Sequence, residues 1–505
     1  MSFFHRQSKW VWVLFILFVA VNLAYLGSVP GLMGDEGSEG ENSYQIQQAG
    51  RLVLIGERSY IGPLIDYLRI PFVLIFGYDA LALRVVMFIF SVILFWLAVG
   101  LAGKAGDDHG GMIAVAAGLF SPAYILYQRL GWAITLIPFF TLLIIAIVAT
   151  RGRFKWWWVG IVGGLGLSNH ILFTGAAAGI AVGVVVMGVA RIKERKIKAK
   201  EFVLGAIMVL VGGTFGFGSQ ALVLMNMKED QGDLTMVASA AEERWKALPQ
   251  LMPMVVSGSS YIAAYTGAEL KRRDTLLITG IVMILAGIAW LMNWRKPLTW
   301  AWVLGMGGQL IVLMFMIDRF TLRYFVPLVL SLWAMAGWGW WSIVRSWLED
   351  RQWSYRMAVV IAGLLTGWMV WQVGWVYRET GGSNNDFSIG NRTNKATDLV
   401  QTKELENCVT GAGTVYADDI HIRNRLIYLS RGNRGFDVAS EEDPSQADYL
   451  VSYRMIQEGT CNDLEVPQGC RGLKFFCVNG NSEIRNPSAS GGTLPEGGDK
   501  FLNPK

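Results

Sequence analysis

The sequence predicts a polytopic α-helical membrane protein with about eleven transmembrane helices and a small C-terminal extracytoplasmic α/β domain. Composition is the first observation, because 53% of the 505 residues are hydrophobic and only 16% are charged, too few charges for a soluble surface of this size. The second is that long apolar runs recur along the chain and stop near residue 378. The third is that all four cysteines follow the last run.

The apolar runs define the predicted spans of a transmembrane domain at residues 1–378. Several runs are short or glycine-rich, and the stretch 156–190 is divided into two short spans. The first run follows basic residues as a signal peptide would, but no clear small-residue cleavage site comes after it, so it is interpreted as an uncleaved span. The predicted spans are 10–29, 80–103, 111–127, 131–149, 156–169, 171–190, 202–226, 275–293, 299–317, 323–344 and 357–377.

Lysine and arginine set the predicted orientation. With the N-terminus in the cytoplasm, the cytoplasmic loops are 104–109, 151–155, 191–200, 295–296 and 345–356, and every one of these short loops contains basic residues, as the positive-inside rule requires. The same count puts the C-terminus outside the cytoplasm. The sequence therefore predicts a multi-pass protein of the plasma (inner) membrane. Outside the loops we find no basic stripe with interleaved aromatics, which argues against a nucleic-acid partner.

The chain after residue 378 loses its apolar runs, and residues 379–485 are predicted to form the extracytoplasmic domain. Gly413–Ala417 and Tyr449–Tyr453 are typical of short strands, and Lys395–Glu406 and Ile420–Leu429 of helices. Residues 486–505 are rich in Gly, Pro, Ser and Asn, which predicts a disordered tail. An even number of cysteines confined to this region indicates two disulfides, with free or metal-binding thiols as the alternative; they are Cys408, Cys461, Cys470 and Cys477.

Two long outer loops are predicted, at 30–79 and 227–274. The first opens on an acidic stretch, Gly34–Glu41, and continues into an amphipathic segment, Ser43–Leu54, that could lie on the membrane surface. The adjacent carboxylates Asp35 and Glu36 could take a proton from a hydroxyl nucleophile or hold a divalent cation. The alternative is an acidic loop that is simply solvated.

Cationic residues at the outer face form a second group of candidates, because they run against the positive-inside bias. Together they could bind an anionic lipid headgroup through bidentate guanidinium contacts. A histidine at the same face could bind phosphate or transfer a proton. The alternatives are interfacial anchors, a snorkelling arginine and a histidine that caps a turn. The candidates are Arg129, His170, Lys271, Arg272, Arg319 and Arg323.

Motifs for nucleotide chemistry are absent from the sequence. It has no Walker motif, no GxGxxG at a strand–helix junction, no HExxH and no Ser-His-Asp signature. The energy for any reaction must therefore arrive in the substrate.

Three stretches, taken in this order, resemble the polyprenyl-phosphate-sugar-dependent glycosyltransferases of the GT-C fold, in the branch of the protein mannosyltransferases and aminoarabinose transferases. They are Gly34–Glu36; Leu83-Arg84 with Leu119–Tyr124 and Arg129; and Arg323–Pro327. Val415–Asp419 in the outer domain also fits. The resemblance spans most of residues 1–430, and each motif is short.

The resemblance implies inverting transfer of a sugar from a polyprenyl-phosphate donor to an acceptor hydroxyl at the periplasmic face. Asp35 would be the base, Glu36 would support it, and the cationic candidates would bind the leaving phosphate. A prenyl chain would lie in a groove between spans. Many relatives carry a second acid after the arginine of the second outer loop, whereas Leu130–Ile134 has none; Glu39, Glu41 or Asp233 could substitute. The acceptor (glycan, lipid or protein) and a need for a divalent metal stay open.

Two other classes of function are compatible with the sequence. A lipid or glycan transporter or flippase is the first, although the predicted spans hold almost no acids and no inverted repeat is apparent. A catalytically altered membrane scaffold is the second. Loss of transfer on replacing Asp35 would separate the transferase from the scaffold, and release of sugar from a prenyl-phosphate donor would separate it from the transporter.

Overall fold

The computed structural model describes most of the membrane domain and parts of the C-terminal domain. The described residues are 8–29, 32, 34–53, 61–106, 109–150, 154–193, 198–226, 238–266, 271–315, 322–348, 350–379, 413–417, 426–431, 436–438, 449–452 and 474–477. All statements below refer to these residues.

The helices follow the predicted order of apolar runs. Two short 3-10 helices, Ala133–Leu136 and Leu322–Phe325, lead into longer α-helices. The α-helices are α1 (Lys9–Leu23), α2 (Gly34–Ala49), α3 (Leu64–Phe76), α4 (Ala80–Gly106), α5 (His109–Gly118), α6 (Pro122–Gln128), α7 (Ile137–Val148), α8 (Lys155–Asn169), α9 (Phe173–Lys193), α10 (Ala199–Asn226), α11 (Ala238–Val256), α12 (Ser259–Thr266), α13 (Arg272–Asn293), α14 (Pro297–Phe315), α15 (Val326–Trp347) and α16 (Arg351–Glu379).

Every predicted span contains a helix, and the structure confirms a helical membrane protein. Five helices of the described chain are long and apolar enough to cross a bilayer, and α5 with α6 forms a sixth candidate that is bent by 66°. Four further apolar helices are shorter, at 10–17 residues. The bend follows from Pro122, which starts α6 and has no N–H to continue the helix of α5. The count of eleven spans stays a prediction.

Glycine brings the helices of the bundle into backbone contact. A Cβ atom on Gly164 of α8 would lie 2.6 Å from the carbonyl oxygen of Gly213 on α10, and one on Gly216 would lie 2.6 Å from that of Ile161. Helices α9 and α14 meet in the same way, where a Cβ on Gly175 would lie 2.5 Å from the carbonyl oxygen of Gly308. Such small residues at helical spacing are the usual means of close packing where lipid removes the hydrophobic driving force.

The first long loop is more structured than its sequence predicts. The acidic stretch and most of the predicted surface segment form one helix, α2, which ends at Ala49 and not at Leu54, and α3 follows it. The sequence does not predict this helix, because the glycines of the acidic stretch have low helix propensity in isolation, whereas here tertiary partners compensate. We call the end of the bundle that carries α2, α3 and residues 129–133 the loop face.

The second long loop, 227–274, holds α11 and α12, and residues 227–237 and 267–270 lie outside the described residues. Its turn packs at Gly258, which has φ +76° and whose added Cβ would lie 3.1 Å from the backbone nitrogen of Ala123. On α11, the buried Arg244 donates from Nη1 to the carbonyl oxygen of Met314 at 3.1 Å. This loop therefore packs onto α6 and the end of α14.

The C-terminal domain contains a four-stranded mixed sheet in the order β2–β1–β3–β4. The strands are β1 (Gly413–Ala417), β2 (Phe436–Val438), β3 (Tyr449–Ser452) and β4 (Lys474–Cys477). β1 runs parallel to β2 and β3, with Val415 opposite both Val438 and Tyr449, and β3 runs antiparallel to β4. The two predicted strands are confirmed. The boundaries 379–485 and 486–505 stay predictions.

The remaining predictions for this domain fall largely outside the described residues. Residues 426–430 are helical and overlap the end of the predicted helix Ile420–Leu429, whereas Lys395–Glu406 lies outside the described part. The same is true of Cys408, Cys461 and Cys470. Cys477 is the last residue of β4. The disulfides therefore stay a prediction.

Candidate functional site

Helix α2 carries the acidic stretch across the loop face. Asp35 and Glu36 lie in its first turn, where the positive end of the helix dipole favours carboxylates. Glu36 and Glu39 are three residues apart, which puts both on one side of the helix, and both are buried. Asp35 is only partly buried. Of these three acids, Asp35 alone keeps partial exposure.

Glu36 forms a buried ion pair with Arg84 of α4. Its Oε1 accepts from Nε of Arg84 at 2.8 Å, and its Oε2 accepts from Nη2 at 2.5 Å. Both side chains are 0% exposed. Oε1 also accepts from the backbone N–H of Gly131 at 2.6 Å. These partners occupy both carboxylate oxygens and anchor Glu36 to α4 and to Gly131. The predicted support of Asp35 by Glu36 stays a prediction.

Arg69 of α3 links a second group of buried acids. Its Nη2 donates to Glu39 at 2.9 Å and to the carbonyl oxygen of Gly131, and its Nη1 donates to Asp66 at 3.0 Å. Asn42 donates to the second oxygen of Asp66 at 2.5 Å. Burial works to lower the pKa of Arg69, but the charges of Glu39 and Asp66 outweigh it and the net shift is upward. Arg69 therefore remains a cation.

These contacts join three loops at one face. Glu36 and Glu39 accept from the backbone N–H groups of Gly131 and Ala133. Asn169, at the end of α8, donates to the carbonyl oxygen of Ala133 at 2.7 Å. The acidic helix, the junction after α6 and the junction after α8 therefore form one hydrogen-bonded unit.

Arg129 lies in this unit, but its guanidinium caps a helix. Nη2 donates to the carbonyl oxygens of Ala24 at 2.6 Å and Asn22 at 3.5 Å, and Nη1 donates to the hydroxyl of Tyr377. The guanidinium carbon also lies 5.1 Å from the centroid of the Tyr377 ring, and Arg129 is 1% exposed. The last carbonyls of a helix have no intrahelical donor, so Arg129 stabilises the end of α1. The phosphate contact predicted for Arg129 stays a prediction.

The other predicted cationic residues belong to different parts of the chain. His170 is buried at the C-cap of α8, and its Nδ1 accepts from the N–H of Leu172 at 3.2 Å, which is the turn-capping alternative. Lys271 and Arg272 are exposed at the start of α13. Arg323 belongs to the 3-10 helix before α15, where its side chain is outside the description, and Arg319 lies outside the described residues.

Sequence reasoning missed the residues that hold this face together. The sequence does not single out Arg69, Asp66 or Asn42, and Arg84 is part of a motif without a role of its own. A signal for Asp66 and Arg69 exists, because opposite charges three residues apart interrupt an otherwise apolar run, Leu64–Phe76. Such charges in an apolar helix require buried partners.

A groove of about 630 Å³ opens at the other end of α2. It is lined by Ile46, Gln47, Gly50, Arg51, Leu52, Tyr67, Ile70 and Leu74. Of the lining residues on α2, Ile46 is the one nearest in sequence to Asp35. Eleven positions separate the two, which is roughly 16 Å along the helix at a rise of ~1.5 Å per residue. The groove is therefore separate from the acidic end of α2. Among the described residues no group of three or more His, Cys, Asp or Glu could hold a metal ion.

Comparison with solved structures identifies the fold. The chain is similar to ArnT from Cupriavidus metallidurans bound to undecaprenyl phosphate, with 14% identity and a TM-score of 0.54 over 87% of this chain and 93% of that one. It is also similar to the apo form of ArnT, with 12% identity and a TM-score of 0.57 over 93% and 98%. At these identities the likeness shows the fold alone.

A weaker likeness is to the archaeal oligosaccharyltransferase AglB from Archaeoglobus fulgidus, in complex with an inhibitory peptide and a dolichol-phosphate, with 12% identity and a TM-score of 0.47 over 88% of this chain and 69% of that one. No protein-family model matches the sequence, and no curated protein matches it. The fold shared with ArnT is the GT-C fold that the sequence resemblance implied.

Proposed function

We propose that the protein is a membrane glycosyltransferase that moves a sugar from a polyprenyl-phosphate donor to an acceptor hydroxyl at the periplasmic face. The shared fold with ArnT, which was solved with undecaprenyl phosphate, supports the class of donor. The basic residues at the opposite end of the spans support the assignment of the loop face to the extracytoplasmic side. In this proposal the N-terminus is cytoplasmic and the C-terminal domain is outside.

The observation that carries the proposal is the arrangement of acids on α2. Glu36 and Glu39 are buried and paired with Arg84 and Arg69, whereas Asp35, on the same turn of helix, stays partly exposed. A base must reach the proton that it takes. Asp35 is therefore the carboxylate that meets the acceptor, and its two neighbours fix the helix that presents it.

The reaction follows from that role. The acceptor hydroxyl oxygen attacks the anomeric carbon of the sugar, and the Asp35 carboxylate takes the proton from that hydroxyl. The bond from that carbon to the phosphate oxygen breaks, the polyprenyl phosphate leaves with the electron pair, and the anomeric configuration inverts. Attack and departure on opposite faces require one base near the acceptor and cations near the phosphate.

Candidate cations for the leaving phosphate are Lys271, Arg272, Arg319 and Arg323. His170 is a weaker candidate, because its Nδ1 accepts a hydrogen bond from the N–H of Leu172 and the imidazole is then neutral. Arg129 is better suited to holding α1 in place, because its guanidinium already has helix carbonyls as partners. A second catalytic acid is not part of the proposal. Glu39 is paired with Arg69 and Glu41 with Arg431, and Asp233 lies outside the described residues.

The test is transfer by purified protein from a synthetic polyprenyl-phosphate sugar, with release of polyprenyl phosphate as the readout. Asp35→Asn removes the base and keeps the shape, so we expect the rate to fall about 10²- to 10⁴-fold, with unchanged thermal unfolding in detergent. Asp35→Glu is the matched control and should retain part of the activity. A full rate for Asp35→Asn would contradict the assignment, and movement of intact donor across vesicles without sugar release would favour a flippase. Repeating the assay with EDTA decides whether a divalent cation takes part.

A further inference from the structure

We propose that Tyr428 and Arg431 of the C-terminal domain are positioning residues. They hold α2, and with it Asp35, in a fixed position against the helix bundle. This inference rests on the proposed function, because it assigns those residues to the presentation of the base. It goes beyond it by giving the C-terminal domain a part in the reaction.

Arg431 makes the polar half of this contact. Its Nε donates to Oε2 of Glu41 at 2.9 Å, and its Nη2 donates to Oε1 at 2.8 Å. The guanidinium carbon lies 4.6 Å from the centroid of the Tyr44 ring. The hydrogen bond with Glu41 raises the pKa of Arg431. A two-point pair stacked on an aromatic ring is more specific than an ordinary surface ion pair, which contributes little.

Tyr428 makes the apolar half. Its ring lies over Gly40, where an added Cβ atom would be 2.6 Å from Cε2 of the tyrosine. The hydroxyl donates to the carbonyl oxygen of Asp79 at 3.2 Å, and the ring packs edge-on against Tyr78 at 5.6 Å between centroids. Burial raises the pKa of Tyr428. Only glycine at position 40 allows this approach, so the surface of α2 is matched to the C-terminal domain.

The helix bundle and the C-terminal domain contact different sides of α2. At ~100° per residue, Glu36 and Glu39 point in one direction, toward the bundle. Gly40, Glu41 and Tyr44 cover a neighbouring sector that faces the C-terminal domain. By the same geometry Asp35 lies across the helix from the middle of that sector. The C-terminal domain can therefore contact the side of α2 opposite Asp35 without covering that residue.

Breaking the contacts between the C-terminal domain and α2 should lower the rate of sugar transfer more than it weakens donor binding. A base misplaced by about 1 Å can lower a rate on the order of 10²-fold. The donor, in the proposed function, binds through other elements. Undocking the domain should therefore lower kcat about tenfold to a hundredfold and leave KM for the donor nearly unchanged, whereas damage to donor binding would raise KM.

The experiment is a charge exchange in the full-length protein. Arg431→Glu and Glu41→Arg each put like charges together and should speed amide hydrogen exchange in residues 36–49 and lower kcat. The double variant restores opposite charges and should recover both readouts, and Arg431→Lys should fall between wild type and Arg431→Glu. Gln48→Glu, at an exposed position of α2, is the matched control and should change neither. Gly40→Ala tests the contact independently, through its overlap with Tyr428.

The outcomes separate the two proposals. Wild-type exchange and kcat in Arg431→Glu and Gly40→Ala would overturn the positioning role, as would a double variant no better than either single one. Faster exchange in α2 with unaltered kcat would also overturn it, since docking would then be structural only. If the wild type transfers no sugar, the proposed function fails, and the positioning of a base fails with it, although the exchange readout would still measure the docking itself.

Discussion

The loop face and the helix bundle beneath it are held together by opposite means. In the bundle, neighbouring helices touch through glycine, as where Gly164 meets Gly213, and charges are few. At the loop face, α2 and α3 are held by buried ion pairs centred on Arg84 and Arg69. Close helix packing depends on positions without a side chain, whereas a buried ion pair depends on the presence of both charged side chains.

This difference has a functional meaning. Nonpolar packing tolerates small displacements, but a two-point guanidinium–carboxylate contact fixes distance and direction together. The buried ion pairs of Glu36 and Glu39 lie on the helix that carries Asp35, the base in the proposed function. The two regions should therefore respond differently to substitution.

The largest effect is expected for the Glu36–Arg84 pair. Arg84→Met leaves a fully buried carboxylate without its cation, and loss of one member of such a pair typically costs about 3–5 kcal/mol. We expect that loss in the free energy of unfolding, measured in mixed micelles. The double variant Arg84→Met/Glu36→Met removes both charges and should regain part of it, although Gly131 loses its acceptor. Additive single effects would show that the two charges are not coupled.

A smaller effect is expected in the bundle. Gly164→Leu puts a side chain where even a Cβ atom would lie 2.6 Å from a carbonyl oxygen of α10, and overpacking typically costs about 1–3 kcal/mol. Gly363→Leu on α16 is the matched control, because a Cβ there meets nothing within 4 Å. Unfolding in micelles should be destabilised by the first change only. Equal stability of the two variants would mean that α8 and α10 can separate without penalty.

The same division explains what the sequence could predict. Apolar runs mark helices directly, so the order and approximate bounds of α4, α10, α13, α15 and α16 follow from hydrophobicity. The bend at Pro122 was not predicted, because hydropathy alone does not register a break inside an apolar run. The GT-C fold followed from motifs in order together with topology.

The candidate site was harder to predict, because its polar residues act in pairs from distant parts of the chain. Glu36 and Arg84 are forty-eight positions apart, and Glu39 and Arg69 are thirty. A single sequence shows each charge but not its partner. The same limit led to Arg129 being interpreted as a phosphate ligand, since the carbonyls that it caps lie on α1. Asp35 and Glu36 can be singled out from the sequence, from their place after the first span, but their different surroundings cannot.

The smallest effect is expected where an ion pair is exposed. Lys246 and Glu242 on α11 are 2.7 Å apart, but their side chains are 72% and 78% exposed. Water screens both charges with or without the contact, so an i,i+4 pair of this kind contributes about 0.3–0.5 kcal/mol at most. Lys246→Ala should therefore change the unfolding free energy by no more than that, with no change in sugar transfer. A loss of unfolding free energy comparable with that of Arg84→Met would mean that burial does not distinguish the buried ion pairs from the exposed ones. The contrast between the loop face and the rest of the molecule would then have to rest on some other property.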